Sequence, residues 1–272
     1  MNPLASELLE RGFKPRRQLG QNFLFDANFL DFIVREAAIL PDDVVLEFGT
    51  GPGQLTERLA AQAALVHTIE IDRVLHDFSS KRLRLPNVVF HLGDAIPGGD
   101  DLDPALVATV KASLAGRRLR VVSNFPYSVG GSILVSLGAG ALPAADALGT
   151  LQHEVALRLV AAPGTDDYGP LGILLQQRAH VSILRPVARR LFWPEPRVDS
   201  SLVRVTFDRP GPLDPGWIRF LKSVFSQRRK TLAGGLRKLG WSYTGEFAGK
   251  RPEQLSPDEL ESVWREVLKG ER

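Results

Sequence analysis

The chain has 272 residues, 44% of them hydrophobic and 24% charged, with a net charge of +3 and no cysteine. That length buries a full core without covalent staples, and the missing thiols exclude a disulfide framework, a zinc–thiolate site and a cysteine nucleophile. No apolar run reaches the roughly 18 residues of a membrane span, and MNPLASELLERGF lacks the features of a signal peptide, so the expected location is the cytoplasm.

From about residue 43 the chain alternates short β-rich runs with helical patterns. Strands are expected over 43–48, 64–71, 87–92, 119–124 and, more weakly, 145–152. Helices are expected over 53–62, 73–84, 103–115 and 129–138, the third opened by Asp103-Pro104. This rhythm predicts βαβ units and a mostly parallel, doubly covered sheet. Near 178–207 it changes to two strands, HVSILRPV and SLVRVTF, separated by the loop FWPEPRVDS, which predicts an antiparallel pair at the sheet edge. A Pro/Gly/Asp-rich stretch, 208–216, marks an expected boundary between a domain of residues 1–208 and a small helical one of 209–272. The last helix is expected to start at Ser256-Pro257-Asp258-Glu259. Seven basic residues and no acid lie between Arg219 and Lys238, and Arg11, Lys14, Arg16 and Arg17 form a second cluster. Two such patches suggest a polyanionic partner, with a solvated helix face as the plainer reading.

The segment Glu47-Phe48-Gly49-Thr50-Gly51-Pro52-Gly53 follows a strand and opens a helix. Gly49, Gly51 and Gly53 allow a tight turn and close approach of a ligand to the backbone. A nicotinamide enzyme wants G-x-G-x-x-G. The G-x-G-x-G spacing here, with an acid two residues ahead, is similar to an S-adenosylmethionine loop; a structural turn is the alternative. Glu70 ends the next strand, where an acid accepts ribose hydroxyls. Asp94 follows the third strand, placed to accept from an adenine amine. Asp72 reads better as a helix cap.

The fourth strand runs into Asn124-Phe125-Pro126-Tyr127. An amine conjugated to a ring is a poor nucleophile. The Asn124 amide oxygen and the Phe125 carbonyl can accept its two hydrogens and aim its lone pair at a methyl donor. Tyr127 offers a face for stacking an extruded base. Phe192 is a candidate second face, with Trp193 as the alternative. A packed turn capped by asparagine remains the structural reading of the tetrapeptide.

Taken together, RRQLGQNFLFD, EFGTGPGQLT, IEIDR, GDA, NFPY, FWPEPRVDSSLVRV, FSQRRKTL and RPEQLS resemble the small-subunit ribosomal RNA adenine dimethyltransferases, the KsgA or RsmA type. The resemblance runs nearly end to end. It implies an α/β, Rossmann-like class I methyltransferase sheet with an antiparallel edge pair, plus a small all-α C-terminal domain. It also implies S-adenosylmethionine as cofactor, with Asn22, Leu24, Gly49, Glu70, Asp94 and Asn124 as cofactor or catalytic positions, and no metal. The implied substrate is a pair of adjacent adenosines in a hairpin loop near the 3′ end of small-subunit rRNA, within an assembling small ribosomal subunit. Arg228, Arg229 and Lys230 would track phosphates, and nothing demands an oligomer. The chain departs from the family pattern at Phe125 (usually leucine), at His153 (often lysine) and at Ala233-Gly234-Gly235, where an asparagine is usual. Alternatives are an adenine methyltransferase acting on large-subunit rRNA, a non-catalytic RNA-binding assembly or transcription factor, and a nicotinamide dehydrogenase.

Overall fold

The computed structural model describes residues 3–270, without the side chains of Arg17 and Lys269. In chain order the elements are α1 (Pro3–Glu10), β1 (Phe23–Leu24), α2 (Ala27–Ala37), β2 (Val44–Phe48), α3 (Gln54–Ala60), β3 (Leu65–Glu70), α4 (Arg73–Leu83), β4 (Val88–Leu92), α5 (Pro104–Leu114), β5 (Leu119–Asn124), α6 (Gly130–Gly138) and β6 (Ala144–Gln152). They continue with α7 (His153–Val160), α8 (Pro170–Gln176), β7 (His180–Val187), β8 (Phe192–Trp193), β9 (Ser200–Thr206), α9 (Pro215–Ser226), α10 (Leu232–Lys238) and α11 (Pro257–Gly270). The expected strands and helices fall within a few residues of these bounds.

Seven strands form one sheet in the order β4-β3-β2-β5-β6-β9-β7. Strand β9 pairs antiparallel with both β6 and β7, whereas β2 to β6 run parallel. The expected edge pair is therefore β9 with β7. Strand β2 is buried along its whole length, as a central strand covered on both faces should be. Its side chains alternate between two cores. Val44, Leu46 and Phe48 pack with α5 and α6 residues such as Val110 and Ile133, while Val45 packs with α2 and α3 residues such as Leu30, Ile33 and Leu59. Between β2 and β5 the order of connection reverses. The carboxyl ends of these two strands open the crevice where such sheets bind ligands.

Side chains start several helices by accepting orphan N–H groups. Asp26 Oδ1 takes Phe29 N–H at 2.8 Å, and Asp103 Oδ1 takes Leu106 N–H at 2.8 Å. Ser256 and Glu259 exchange bonds at the head of α11, at 3.2 and 2.7 Å, a reciprocal capping box. Phe23 and Leu24 pair with Trp193 and Phe192 in a separate two-stranded sheet, which joins the N-terminal segment to the proline-rich loop.

The C-terminal helices do not build their core alone. Trp217, Phe220, Leu236 and Val263 pack with Ala161, Tyr168, Ile173 and Leu174, from a segment that precedes β7. Tyr168 is 1% exposed and its hydroxyl donates to the Leu255 carbonyl at 2.9 Å. Tyr168→Phe leaves that buried acceptor unpaired. A loss of about 1–2 kcal/mol in urea unfolding is expected. An unchanged midpoint would show that the hydroxyl does not tie the two segments together.

Candidate active site

Successive strand ends converge on one cleft of about 260 Å³. It is lined by Gly49 and Gly51 after β2, Glu70 at the end of β3, Asp94 after β4 and Asn124 at the end of β5, and is covered by the strap Gln18–Phe23. The parallel sheet delivers these residues to the same end because every one of these strands points that way.

The glycine loop is held from below by two buried carboxyl groups. Gly51 has φ of +52°, and a Cβ there would lie 2.9 Å from the Phe23 ring of the strap. A side chain is thus excluded on both backbone and steric grounds. Glu70 is 5% exposed. Its Oε2 accepts Gly51 N–H and its Oε1 accepts Asp72 N–H, each at 2.9 Å. Burial pushes this carboxyl above its ordinary range, and the backbone donors oppose that shift. Below it, Glu47 Oε2 accepts from Thr56 Oγ1 at 2.5 Å and Thr68 Oγ1 at 2.8 Å. The Thr68 proton is therefore committed to Glu47, so Thr50 donates in the 2.7 Å contact between the two threonine hydroxyls. Burial pushes Glu47 up to about 8. Asp72 caps α4 by accepting Val74 N–H at 2.9 Å, and it takes the strap's Gln21 Nε2 at 3.1 Å.

The Asn124–Tyr127 tetrapeptide closes the other side. Asn124 Nδ2 donates to the Asn22 carbonyl at 2.8 Å, and Asn124 Oδ1 accepts from Thr150 Oγ1 at 2.5 Å. The Phe125 ring is buried and stacks on Phe48 at 6.2 Å between centroids. Only the backbone of Phe125 is then left for a substrate. Its bulk is matched by Gly149, where a Cβ would lie 2.6 Å from that ring. The Tyr127 hydroxyl meets Ser200 Oγ at 2.5 Å, and the half-buried ring stands edge-on to Phe192 at 6.5 Å.

Several expected residues sit elsewhere. Leu24 is 4% exposed and belongs to the core beneath α2, because its two-residue strand turns it toward Leu30 and Phe192 rather than the cleft. Phe192 is equally buried in that core, so it braces Tyr127 and presents no free face. Half-buried Trp193 stacks on Phe23 at 6.2 Å. Gly53 lies behind the cleft with φ of +85°, and a Cβ there would meet Leu83 at 2.7 Å. Tyr127 stands beside the cleft rather than in its lining. Sequence reasoning missed most of the strap and the hydroxyls of Thr150 and Ser200, which are remote in the chain from the groups they hold.

Of the basic triplet, Arg228 is tied to Glu253 at 3.2 Å and to the Asp166 carbonyl at 3.1 Å. Arg229 and Lys230 are exposed, and contact with Lys238 pulls the Lys230 ammonium below its ordinary value. The departure at Ala233-Gly234-Gly235 falls in the first turn of α10, where a Cβ on Gly235 would press on Gln227 at 3.3 Å. His153 Nδ1 meets Ser201 Oγ at 2.8 Å, tying the start of α7 to β9.

Glu47 keeps its proton in the fold to about pH 8, whereas the unfolded chain loses it near 4.5. Its contribution therefore favours the fold at low pH and is lost as pH rises through that window, by at most about 1.4 kcal/mol per pH unit. Glu47→Gln is expected to flatten this slope in urea titrations from pH 5 to 8. A slope identical to the parent's would show that Glu47 is ionised throughout.

The family model described as ribosomal RNA adenine dimethylase matches residues 12–252. The ribosomal RNA small subunit methyltransferase A of Moorella thermoacetica is 36% identical over 273 residues, covering 94% of this chain and 93% of its own. Among solved structures, a dimethyladenosine transferase from Plasmodium falciparum superposes with a TM-score of 0.71 at 25% identity, covering 91% of this chain and 98% of its own. The 23S rRNA methyltransferase ErmE reaches 0.56 at 25% identity, covering 90% and 99%. With a matched model over most of its length and a relative this similar end to end, the chain belongs to the ribosomal RNA adenine dimethylase family.

Proposed function

We propose that the protein transfers methyl groups from S-adenosylmethionine to the exocyclic amines of two adjacent adenosines in the 3′-end hairpin loop of small-subunit rRNA. The product is a pair of dimethyladenosines, made on an assembling small subunit by a monomeric cytoplasmic enzyme. The observation that carries this reading is the placement of the Asn124 amide at the end of β5. It lies in the same cleft as the glycine loop and Glu70. The Moorella thermoacetica relative, named for the small subunit, supports that choice of substrate.

The cleft fits the cofactor on its own features: a left-handed glycine turn that a side chain would fill, and a buried carboxylate beside it. Glu70 retains lone pairs for ribose hydroxyls beyond the two spent on backbone N–H groups. Gly49 and Gly51 let the backbone approach the ligand, and Asp94 stands at the far end for an adenine amine. When bound there, S-adenosylmethionine would supply an electrophilic methyl group to the substrate nitrogen and leave as its neutral thioether.

The remaining steps belong to the chain. Asn124 Oδ1 accepts one amine hydrogen on its second lone pair, and the Phe125 carbonyl accepts the other. The nitrogen lone pair is thereby pointed along the line of attack. The attacking amine is neutral, so no base is needed before transfer, and the methylated nitrogen then releases its proton to water. Catalysis is positioning and exclusion of water. Tyr127, braced by Ser200 and Phe192, stacks the base. A base in a hairpin loop is already partly unstacked, which lowers the cost of extruding it. The helical segment 209–272 contributes RNA affinity through Arg228, Arg229 and Lys230, with Arg229 and Lys230 as the freer charges.

The test is transfer from labelled S-adenosylmethionine to small subunits lacking the modification, followed by nucleoside mass analysis. Dimethyladenosine at both loop positions is expected; transfer only to large subunits would overturn the substrate. Asn124→Ala should lower kcat by at least about a hundredfold while keeping most cofactor affinity, whereas Glu70→Ala should weaken cofactor binding by at least about tenfold. Parent-like values in either variant would remove the role assigned to that residue. Arg229→Glu with Lys230→Glu should reduce the salt dependence of RNA binding by about one to two in log–log slope. An unaltered slope would make the patch a solvated face.

A further inference from the structure

We propose that Thr150 is a positioning residue for methyl transfer: its hydroxyl, donating to Asn124 Oδ1, holds that oxygen where it meets the substrate amine. The inference rests on the function proposed above and deepens it.

The two ends of a carboxamide are nearly alike in shape and opposite in hydrogen-bonding character. Methyl transfer to an adenine amine needs the oxygen end, because an amide N–H facing the amine would set donor against donor. The structure settles the orientation through its partners. One end of the Asn124 amide lies 2.8 Å from the Asn22 carbonyl, which can only accept. That end is therefore the NH₂ group. Oδ1 then faces Thr150 Oγ1 at 2.5 Å, and since Oδ1 cannot donate, the threonine hydroxyl does. The bond uses one lone pair of Oδ1 and leaves the second for the amine.

The two anchors differ in rigidity. Asn22 belongs to the strap that covers the cleft, outside the seven-stranded sheet. Thr150 lies on β6, paired in register with Asn124 on β5, and is 0% exposed. Its carbonyl also accepts Phe125 N–H at 3.2 Å. One residue thus holds both the side chain of Asn124 and the peptide that joins it to Phe125. The Asn22 carbonyl selects which end of the amide is NH₂, and Thr150 is the anchor built into the sheet, whose hydroxyl donates to Oδ1 and holds that oxygen in place. The alternative role, a buried threonine that merely satisfies its own hydroxyl, would affect stability without changing turnover selectively.

The experiment compares Thr150→Val, which keeps the shape and removes the donor, with Thr150→Ser, which keeps the donor and removes a methyl. Steady-state transfer to unmodified small subunits is measured with cofactor affinity by calorimetry and thermal unfolding. For Thr150→Val a fall in kcat of about ten- to hundredfold is expected, with cofactor Kd and RNA KM within about twofold of the parent. Thr150→Ser should retain a kcat close to the parent's. Thr150→Ala carries the same expectation as valine should the valine variant fail to fold. The proposal is overturned if the valine or alanine variant turns over at the parent rate. A serine variant as slow as the valine one, or a loss that appears equally in cofactor affinity, also overturns it. Absence of transfer by the parent enzyme would instead overturn the proposed function, so the two failures are distinguishable.

Discussion

The Glu70 carboxylate, buried at the end of β3, takes one backbone N–H from the glycine loop and another from the head of α4. Burying a carboxylate is costly unless its oxygens are satisfied, and here two neighbouring strand ends supply the donors. The glycine loop is therefore not free to choose its conformation. It is drawn onto Glu70 from one side and pressed by Phe23 of the strap from the other. Glu47, one strand over, does the same for the base of the loop through Thr56 and Thr68. Two buried acids and three threonine hydroxyls thus form the floor on which the cleft stands, with every described partner inside the protein.

The strap is the second organising element. It touches the glycine loop through Phe23, the α4 cap through Gln21 and the Asn124–Tyr127 tetrapeptide through Asn22. A Cβ on Gly20 would lie 2.9 Å from Tyr127 N, which marks how closely the strap lies against the tetrapeptide. Pairing of Phe23 and Leu24 with Trp193 and Phe192 carries this connection to the proline-rich loop. The aromatic residues near the site form a braced set in which Phe192 supports Tyr127, and Trp193 supports Phe23. The departure at Phe125 fits the same scheme. Its larger ring fills the space that Gly149 leaves open and stacks on Phe48, so the tetrapeptide keeps its backbone while the core absorbs the bulk.

The helical C-terminal part is joined to the sheet by shared packing rather than by the 208–216 connection alone. Tyr168 and α8 residues enter its core, and Arg228 is drawn back toward Glu253 and Asp166. One member of the basic triplet thus knits two segments together, leaving Arg229 and Lys230 exposed, with Lys230 beside Lys238. Like charges held this close raise the local potential for an anion.

The amino-acid sequence by itself determined the alternation of strands and helices, because β-branched runs, cap residues and glycine punctuation are local signals. It also marked the glycine loop, the acids at three strand ends and the NFPY tetrapeptide as candidate site elements, since each is a short contiguous pattern at the end of a strand. The helix over Ala27–Ala37, with its Asp26 cap, and α7 and α8 carry similar local signals. What only the tertiary structure decided is which side chains meet across long separations in the chain. Leu24 and Phe192 are apolar residues beside polar motifs, and nothing local distinguishes a side chain facing a cleft from one facing a core. A two-residue strand pairing placed both in the core. Thr150 and Ser200 are ordinary strand residues in the sequence. They become partners of Asn124 and Tyr127 only because β6 lies beside β5 and β9 beside β6, and strand order in a sheet is fixed by packing of the whole chain.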